Sequence, residues 1–211
     1  MKRFQLFFIL LFSIASINTL AQEVVMESKE EMRTKIIKFE FFSPLTGNTT
    51  FGYEQYLKDW ISLETKLGII GLGTQPDKNT NDKGFFVSAG PKFKLKPSFA
   101  SEGTYGTNRL SGGYFRPELT ISAFEVGESN VEDYLDFDGR RSGEQIFSIA
   151  LMINYGKQWI IGERFSIDWH IGLGYAYVSD GDGGYYYRYF ASDSSFPIAI
   201  NSGFSIGLCT K

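Results

Sequence analysis

The twelve residues WISLETKLGIIG at positions 60–71 alternate strictly between apolar and polar. Ile61, Leu63, Thr65, Leu67 and Ile69 share one side of an extended strand, and Ser62, Glu64, Lys66, Gly68 and Ile70 share the other. Side chains alternate faces along a strand, so the period here is two and not the 3.6 of a helix. Such a strand has one smooth apolar face and one face with charges of both signs. A soluble β-sandwich buries the apolar face and wets the polar one. A transmembrane barrel does the reverse, with lipid outside and a polar lumen inside.

The same alternation recurs along the chain and predicts about eight strands: 35–43, 49–57, 60–71, 84–96, 111–126, 144–155, 165–177 and 197–208. The first sets Ile37, Phe39 and Phe41 against Lys38 and Glu40. The second sets Phe51 and Tyr53 against Gly52, Glu54 and Tyr56. In the fourth, Phe85, Val87 and Phe93 oppose Phe86, Lys92 and Lys94, and Pro91 marks an edge or a bulge. The fifth opposes Phe115, Leu119 and Ile121 to Tyr114, Arg116 and Glu118. The sixth carries Phe147, Ile149, Leu151, Ile153 and Tyr155 on its apolar face. The seventh has Ile167, Trp169, Ile171 and Leu173 facing away from Ser166, Asp168 and His170.

Connection lengths carry topology. Short turns are read at 58–59 and 156–163, and long loops at 72–83, 127–143 and 180–196. Short periplasmic turns with longer outer loops are the pattern of outer-membrane barrels. An even strand count places both termini on the periplasmic side. The connection at 97–110 breaks the pattern, being long on the short-turn side.

The chain opens with Met1, Lys2 and Arg3, then an apolar run, then Thr19 and Ala21 before Gln22. This is a signal peptide with cleavage after Ala21. The apolar run is short for a helical span of about 20 residues. The domain plan is a signal peptide at 1–21, a polar acidic periplasmic lead-in at 22–34, and one barrel at 35–211. A formal charge of −3 argues against nucleic acid. Cys209 is the sole cysteine, which excludes an internal disulfide and a thiolate metal cluster. No cofactor is implied. The loop acids Asp133, Asp136, Asp138, Asp180 and Asp182 miss the spacing of a calcium loop and read as solvated charge.

The inward set holds Glu40, Glu54, Glu64, Glu118 and Asp168 against Lys38, Lys66, Lys92, Lys94 and Arg116, with His170 beside them. An eight-stranded barrel is just wide enough for side chains to fill it. Charges in that space must be paired, and this set is balanced. The alternation alone fits either sense of facing. The signal peptide, even strand number, loop asymmetry and aromatic residues near strand ends favour the membrane sense. The expected fold is therefore all-β, an antiparallel up-and-down transmembrane β-barrel of about eight strands with a plugged polar lumen.

Several short segments add a resemblance: Phe42-Ser43-Pro44-Leu45, Gly52-Tyr53-Glu54, Gly90-Pro91-Lys92-Phe93, Gly113-Tyr114-Phe115-Arg116-Pro117-Glu118 and Gly172-Leu173-Gly174-Tyr175. In this order the chain resembles the small OmpX/OmpA-like eight-stranded outer-membrane β-barrels, in particular a Bacteroidetes-type family of unknown function. The resemblance implies fold and location and brings no catalytic residues. The segment 201–208, with Asn201, Gly203, Ile206 and Leu208, also resembles the terminal strand read by the barrel assembly machinery. It departs at its end, where Cys209, Thr210 and Lys211 replace a closing aromatic.

The functional expectation is a non-enzymatic outer-membrane barrel with a structural or surface-interaction role. Its partners would be outer-membrane lipid and lipopolysaccharide, and an extracellular partner reached through the loops. Tyr185, Tyr186, Tyr187, Tyr189 and Phe190 form the densest aromatic run, read either as an adhesive contact or as strand ends above an aromatic girdle. Two alternatives stand beside it. One is a membrane lipid hydrolase using His170 with Asp168 and Ser166, although residues i and i+2 of one strand are nearly 7 Å apart. The other is a soluble periplasmic barrel holding an apolar ligand against the stripe from Ile61 to Ile69.

Overall fold

The computed structural model describes residues 33–58, 60–74, 82–95, 109–127, 143–162 and 164–211. The expected signal peptide, nearly all of the lead-in, and most of the 72–83, 97–110 and 127–143 connections lie outside these residues.

Eight long strands close into a barrel. They are β1 (Lys35–Glu40), β2 (Asn48–Lys58), β3 (Ile61–Ile70), β4 (Lys83–Lys94), β5 (Gly112–Glu125), β6 (Gln145–Ile161), β7 (Phe165–Val178) and β10 (Ile198–Thr210). Each pairs antiparallel with its neighbour, and β1 pairs with β10 to complete the ring. Two short strands, β8 (Gly184–Tyr185) and β9 (Phe190–Ala191), form a hairpin inside the last loop, and β9 pairs with Ala199 and Ile200.

The strands sort their residues as the alternation requires. Ile37, Leu63, Leu67, Leu119, Ile153 and Leu173 face outward and are exposed. Lys38, Glu64, Lys66, Arg116, Glu118 and Asp168 face inward and are buried. The apolar stripe of β3 therefore does not line a cavity, which overturns the apolar-ligand barrel. Every long strand but one reaches the roughly 9–11 residues needed to cross a bilayer. β1 does not, with 6 residues.

The ends of β1, β6 and β10 differ from the alternation reading. β1 ends at Glu40 and not at Ser43, and the turn signalled by Pro44 and Gly47 is a 3₁₀ turn over residues 43–46. Pro44 is set for a first helical position, and the Ser43 hydroxyl donates to the Glu40 carbonyl at 2.8 Å while accepting the Thr50 N–H at 3.1 Å. β6 runs to Ile161, so the expected turn at 156–163 shrinks to a reversal at Gly162. Its alternation simply continues, with Gln158 buried and Lys157 near the outward Trp159 ring. β10 likewise runs on to Thr210, two residues past Leu208.

Pro91 is neither at an edge nor at a bulge. β4 pairs with β3 straight through Leu63 and Pro91. On its other side the ladder to β5 lapses between Ala89, paired with Leu119, and Phe93, paired with Phe115. In that register Pro91 lies opposite Pro117. Neither has an N–H to give, so the gap is filled by two residues that lack a donor. The irregularity that does occur lies between β2 and β3, at Tyr56 and Lys58.

Lumenal rings are accommodated by glycines on neighbouring strands. A Cβ on Gly68 would strike the ring of Phe86, one on Gly156 the ring of Tyr114, and one on Gly203 the ring of His170. All three rings are buried, so they have little room to swing aside. Replacing Gly68 with Ala is expected to destabilise the barrel by about 1–3 kcal/mol, the usual cost of overpacking. In urea unfolding of the detergent-solubilised protein, Gly68→Ala combined with Phe86→Leu should lose less than the sum of the two single changes.

Candidate functional site

The lumen is layered. At its centre, the Lys38 ammonium lies 2.6 Å from carboxylate oxygens of Glu54, Glu64 and Asp168. The Lys92 ammonium lies 3.0, 2.5 and 2.6 Å from oxygens of the same three residues. Both lysines also donate to the Gln158 side-chain carbonyl, at 2.6 and 3.0 Å. Tyr114 donates its hydroxyl to Asp168 at 2.7 Å, and Ser62 donates to Glu54 at 2.7 Å. The three carboxylates come within 4.8 Å of one another, close enough to hold a metal ion. Lys38 and Lys92 supply the positive charge there instead.

One layer towards the long loops, Arg116 pairs with Glu64 and, at 2.5 Å, with Glu118. Lys66 pairs with Glu40. Arg188 completes this layer from the last loop, reaching Glu40 at 3.1 Å and Glu118 at 2.9 Å. The Arg188 guanidinium also lies 3.1 Å from His170 Nε2. All of the charged residues read as lumenal are thus buried and brought together. Lys94, nearest the short-turn end, has weaker company: Glu54 at 3.4 Å and the Leu110 carbonyl at 2.7 Å.

Leu110 gives the long connection before β5 a physical role. It is fully buried against Ile36 and Cys209, and its carbonyl accepts from Gln158 at 2.8 Å as well as from Lys94. The end of that connection closes the short-turn mouth of the barrel.

The long-loop mouth is closed by the aromatic run. Tyr186, Tyr187 and Tyr189 are buried and pack with Phe86, Phe124, Ile146 and Met152. Tyr186 donates to Asp180 at 2.9 Å, Tyr187 to Asp82, and Tyr189 to Ser148 at 2.7 Å. Tyr187 adopts a left-handed backbone with φ of 62°, which turns the hairpin so that Arg188 enters the lumen. The surface contact expected of this cluster is therefore reduced to Phe190, which is exposed, and the half-buried Tyr185. Burial pushes the Tyr189 hydroxyl up to about 12, helped by Asp180 and opposed by its bond to Ser148.

Arg188, Gln158 and Leu110 were not foreseen as lumenal. Gln158 follows once the β6 alternation is carried past Tyr155. Arg188 sits in a loop and follows no period; its one signal is an arginine set inside the run YYYRYF.

The partner of His170 is Arg188, whereas Asp168 is committed to Lys38, Lys92 and Tyr114. Ser166, two residues from Asp168 on the same face, has a hydroxyl with no hydrogen-bond partner.

No protein-family model matches the chain, and no curated protein matches it. Among solved structures it is similar to the N-terminal β-barrel domain of Pseudomonas aeruginosa OprF, at 11% identity and a TM-score of 0.45, over 84% of this chain and 97% of that one. The closed barrel described above rests on the pairing of its own strands.

Two outcomes follow from the lumen. Lys92→Met should cost about 3–5 kcal/mol, because Glu54, Glu64 and Asp168 lose one of the two buried ammonium groups they share. Adding Asp168→Asn should recover at least about 1 kcal/mol of that in a double-mutant cycle by urea unfolding. For Tyr189, the folded pKa of about 12 lies above the ordinary value of about 10. Its stabilising contribution is complete below about pH 10 and is lost as pH rises through about 12. Ultraviolet titration should show a phenol ionising near pH 12 that is lost in Tyr189→Phe.

Proposed function

We propose that this chain is an integral outer-membrane protein with a sealed lumen. Its role is structural and non-enzymatic: it forms a rigid element of the envelope and presents its long loops at the cell surface. The observation that carries this reading is the sense of the two faces. The outward face is apolar around the ring, from Ile37 on β1 to Leu208 on β10. A soluble monomer rarely exposes a contiguous apolar patch beyond a few hundred Å². The inward face is ion-paired, and both mouths are closed by buried apolar residues. Only a closed barrel can satisfy its backbone groups in lipid by strand pairing, and no described helix is long and apolar enough to cross a membrane.

In this reading both termini are periplasmic, after removal of the signal peptide near Ala21 and Gln22. Lipid and lipopolysaccharide contact the outer wall, and the assembly machinery recognises 201–208. Any surface partner meets the loops and not the buried tyrosines. Catalysis at His170 is disfavoured by its pairing with Arg188.

Fractionation of expressing cells, with gel mobility compared before and after boiling, tests the reading. A band in the outer-membrane fraction that shifts on heating is the expected result. A soluble periplasmic band with no shift would overturn it.

A further inference from the structure

Among the described residues, the wall is incomplete between β10 and β1. β10 has 13 residues and its neighbour β1 has 6. β1 pairs with residues 205–210, and β9 pairs with Ala199 and Ile200. Among the described residues, only β7 pairs with Asn201, Ser202 and Gly203. The open edge is therefore lateral, in the half of the wall nearer the long loops.

Backbone direction can be followed along that edge. The Phe204 carbonyl accepts the Phe41 N–H across it, and the Ile198 carbonyl accepts the Ser192 N–H on the same side. Residues two apart turn their backbone groups the same way, so the Ser202 N–H and carbonyl point into the gap. Asn201 is more than nine-tenths buried beside it, and neither polar atom of its side chain has a hydrogen-bond partner.

A cavity of about 870 Å³ opens at this place. Its outer part runs along the lipid-facing wall between Trp169, Ile171, Leu173, Ile200 and Phe204. Small residues, Ser202 and Gly203, form its floor. Its inner part reaches Asn201 and Arg188. Ligand cavities usually measure about 300–1,000 Å³. Arg188 is neutralised by Glu40 and Glu118, so the inner part has no spare positive charge for a phosphate. It offers neutral donors and acceptors.

We propose that this gap binds one membrane lipid through its acyl ester. The acyl chain lies in the apolar groove. The ester carbonyl accepts from the Ser202 N–H and from the Asn201 amide, at the place where β1 falls short. Unpaired backbone groups facing hydrocarbon are costly, and the ester carbonyl gives the Ser202 N–H an acceptor. The site rests on the membrane reading and deepens it.

Native mass spectrometry of the full-length protein in detergent tests it, with dipalmitoyl phosphatidylethanolamine as the probe. One adduct should survive removal of the micelle. The ether-linked analogue, which lacks the ester carbonyl, should bind at least about tenfold more weakly. Ser202→Phe, which fills the groove, and Asn201→Leu, which removes the free amide, should each weaken ester-lipid binding by a similar factor. The heat shift on gels checks that both variants fold, and the ether-lipid comparison uses the unaltered protein. Equal binding of the two lipids, or no persistent adduct, would overturn the lipid site. A barrel that stays soluble and monomeric without detergent would instead overturn the membrane reading.

Discussion

The structure depends on keeping charge paired in a narrow, dry space. Lys38 and Lys92 each touch the same three carboxylates, and those carboxylates arrive on β2, β3 and β7. The cluster therefore ties strands on opposite sides of the ring to one another. Buried ion pairs need excellent geometry and full hydrogen bonding to repay their desolvation. Gln158, Ser62 and Tyr114 supply the additional bonds. A one-residue slip of any of these strands would turn its charges to the outside and its apolar face to the lumen. The network thus works as a specification of register.

Around that centre the lumen is sealed differently at its two ends. The short-turn end is closed by Leu110 with Ile36 and Cys209. The long-loop end is closed by tyrosines whose rings are buried and whose hydroxyls each find a partner: Asp180, Asp82 and Ser148. Tyrosine suits that position because it provides apolar area and a polar tip. Arg188 joins this cap to the ionic layer below it. The same hairpin supplies β9, which covers part of the wall that the short β1 leaves open.

Much of this was legible in the alternation. Which face each of Ile61 to Ile70 takes, and which charges enter the lumen, follow from a period of two once the barrel is closed. The sense of facing rested on the leader, the strand number, the loop lengths and the aromatic strand ends, because alternation is symmetric between inside and outside. The end of β1 was not legible from period: Phe41 continues the pattern, and the 3₁₀ turn is set by Pro44 and the double hydrogen bond of Ser43. Arg188 and the buried tyrosines were hidden for another reason. A loop that folds back into a mouth has no repeat, and its burial depends on residues far away in the chain, such as Glu118 and Asp82. Pro91 was misleading because its lapse in pairing is met by Pro117 on the next strand, which no single-strand pattern can show.

In the proposed membrane reading, the apolar face meets lipid and the charged face does not meet water in bulk. Nitroxide labels at Leu119 and at Thr120, adjacent on β5 and opposite in facing, test it most directly in a Cys209→Ser background reconstituted into bilayers. Their collision rates with oxygen, which concentrates in lipid, and with a water-soluble nickel complex would be measured. The label at Leu119 is expected to be reached by oxygen and not by nickel, and the label at Thr120 to be shielded from both. Ready access of the nickel complex at Leu119 would contradict it.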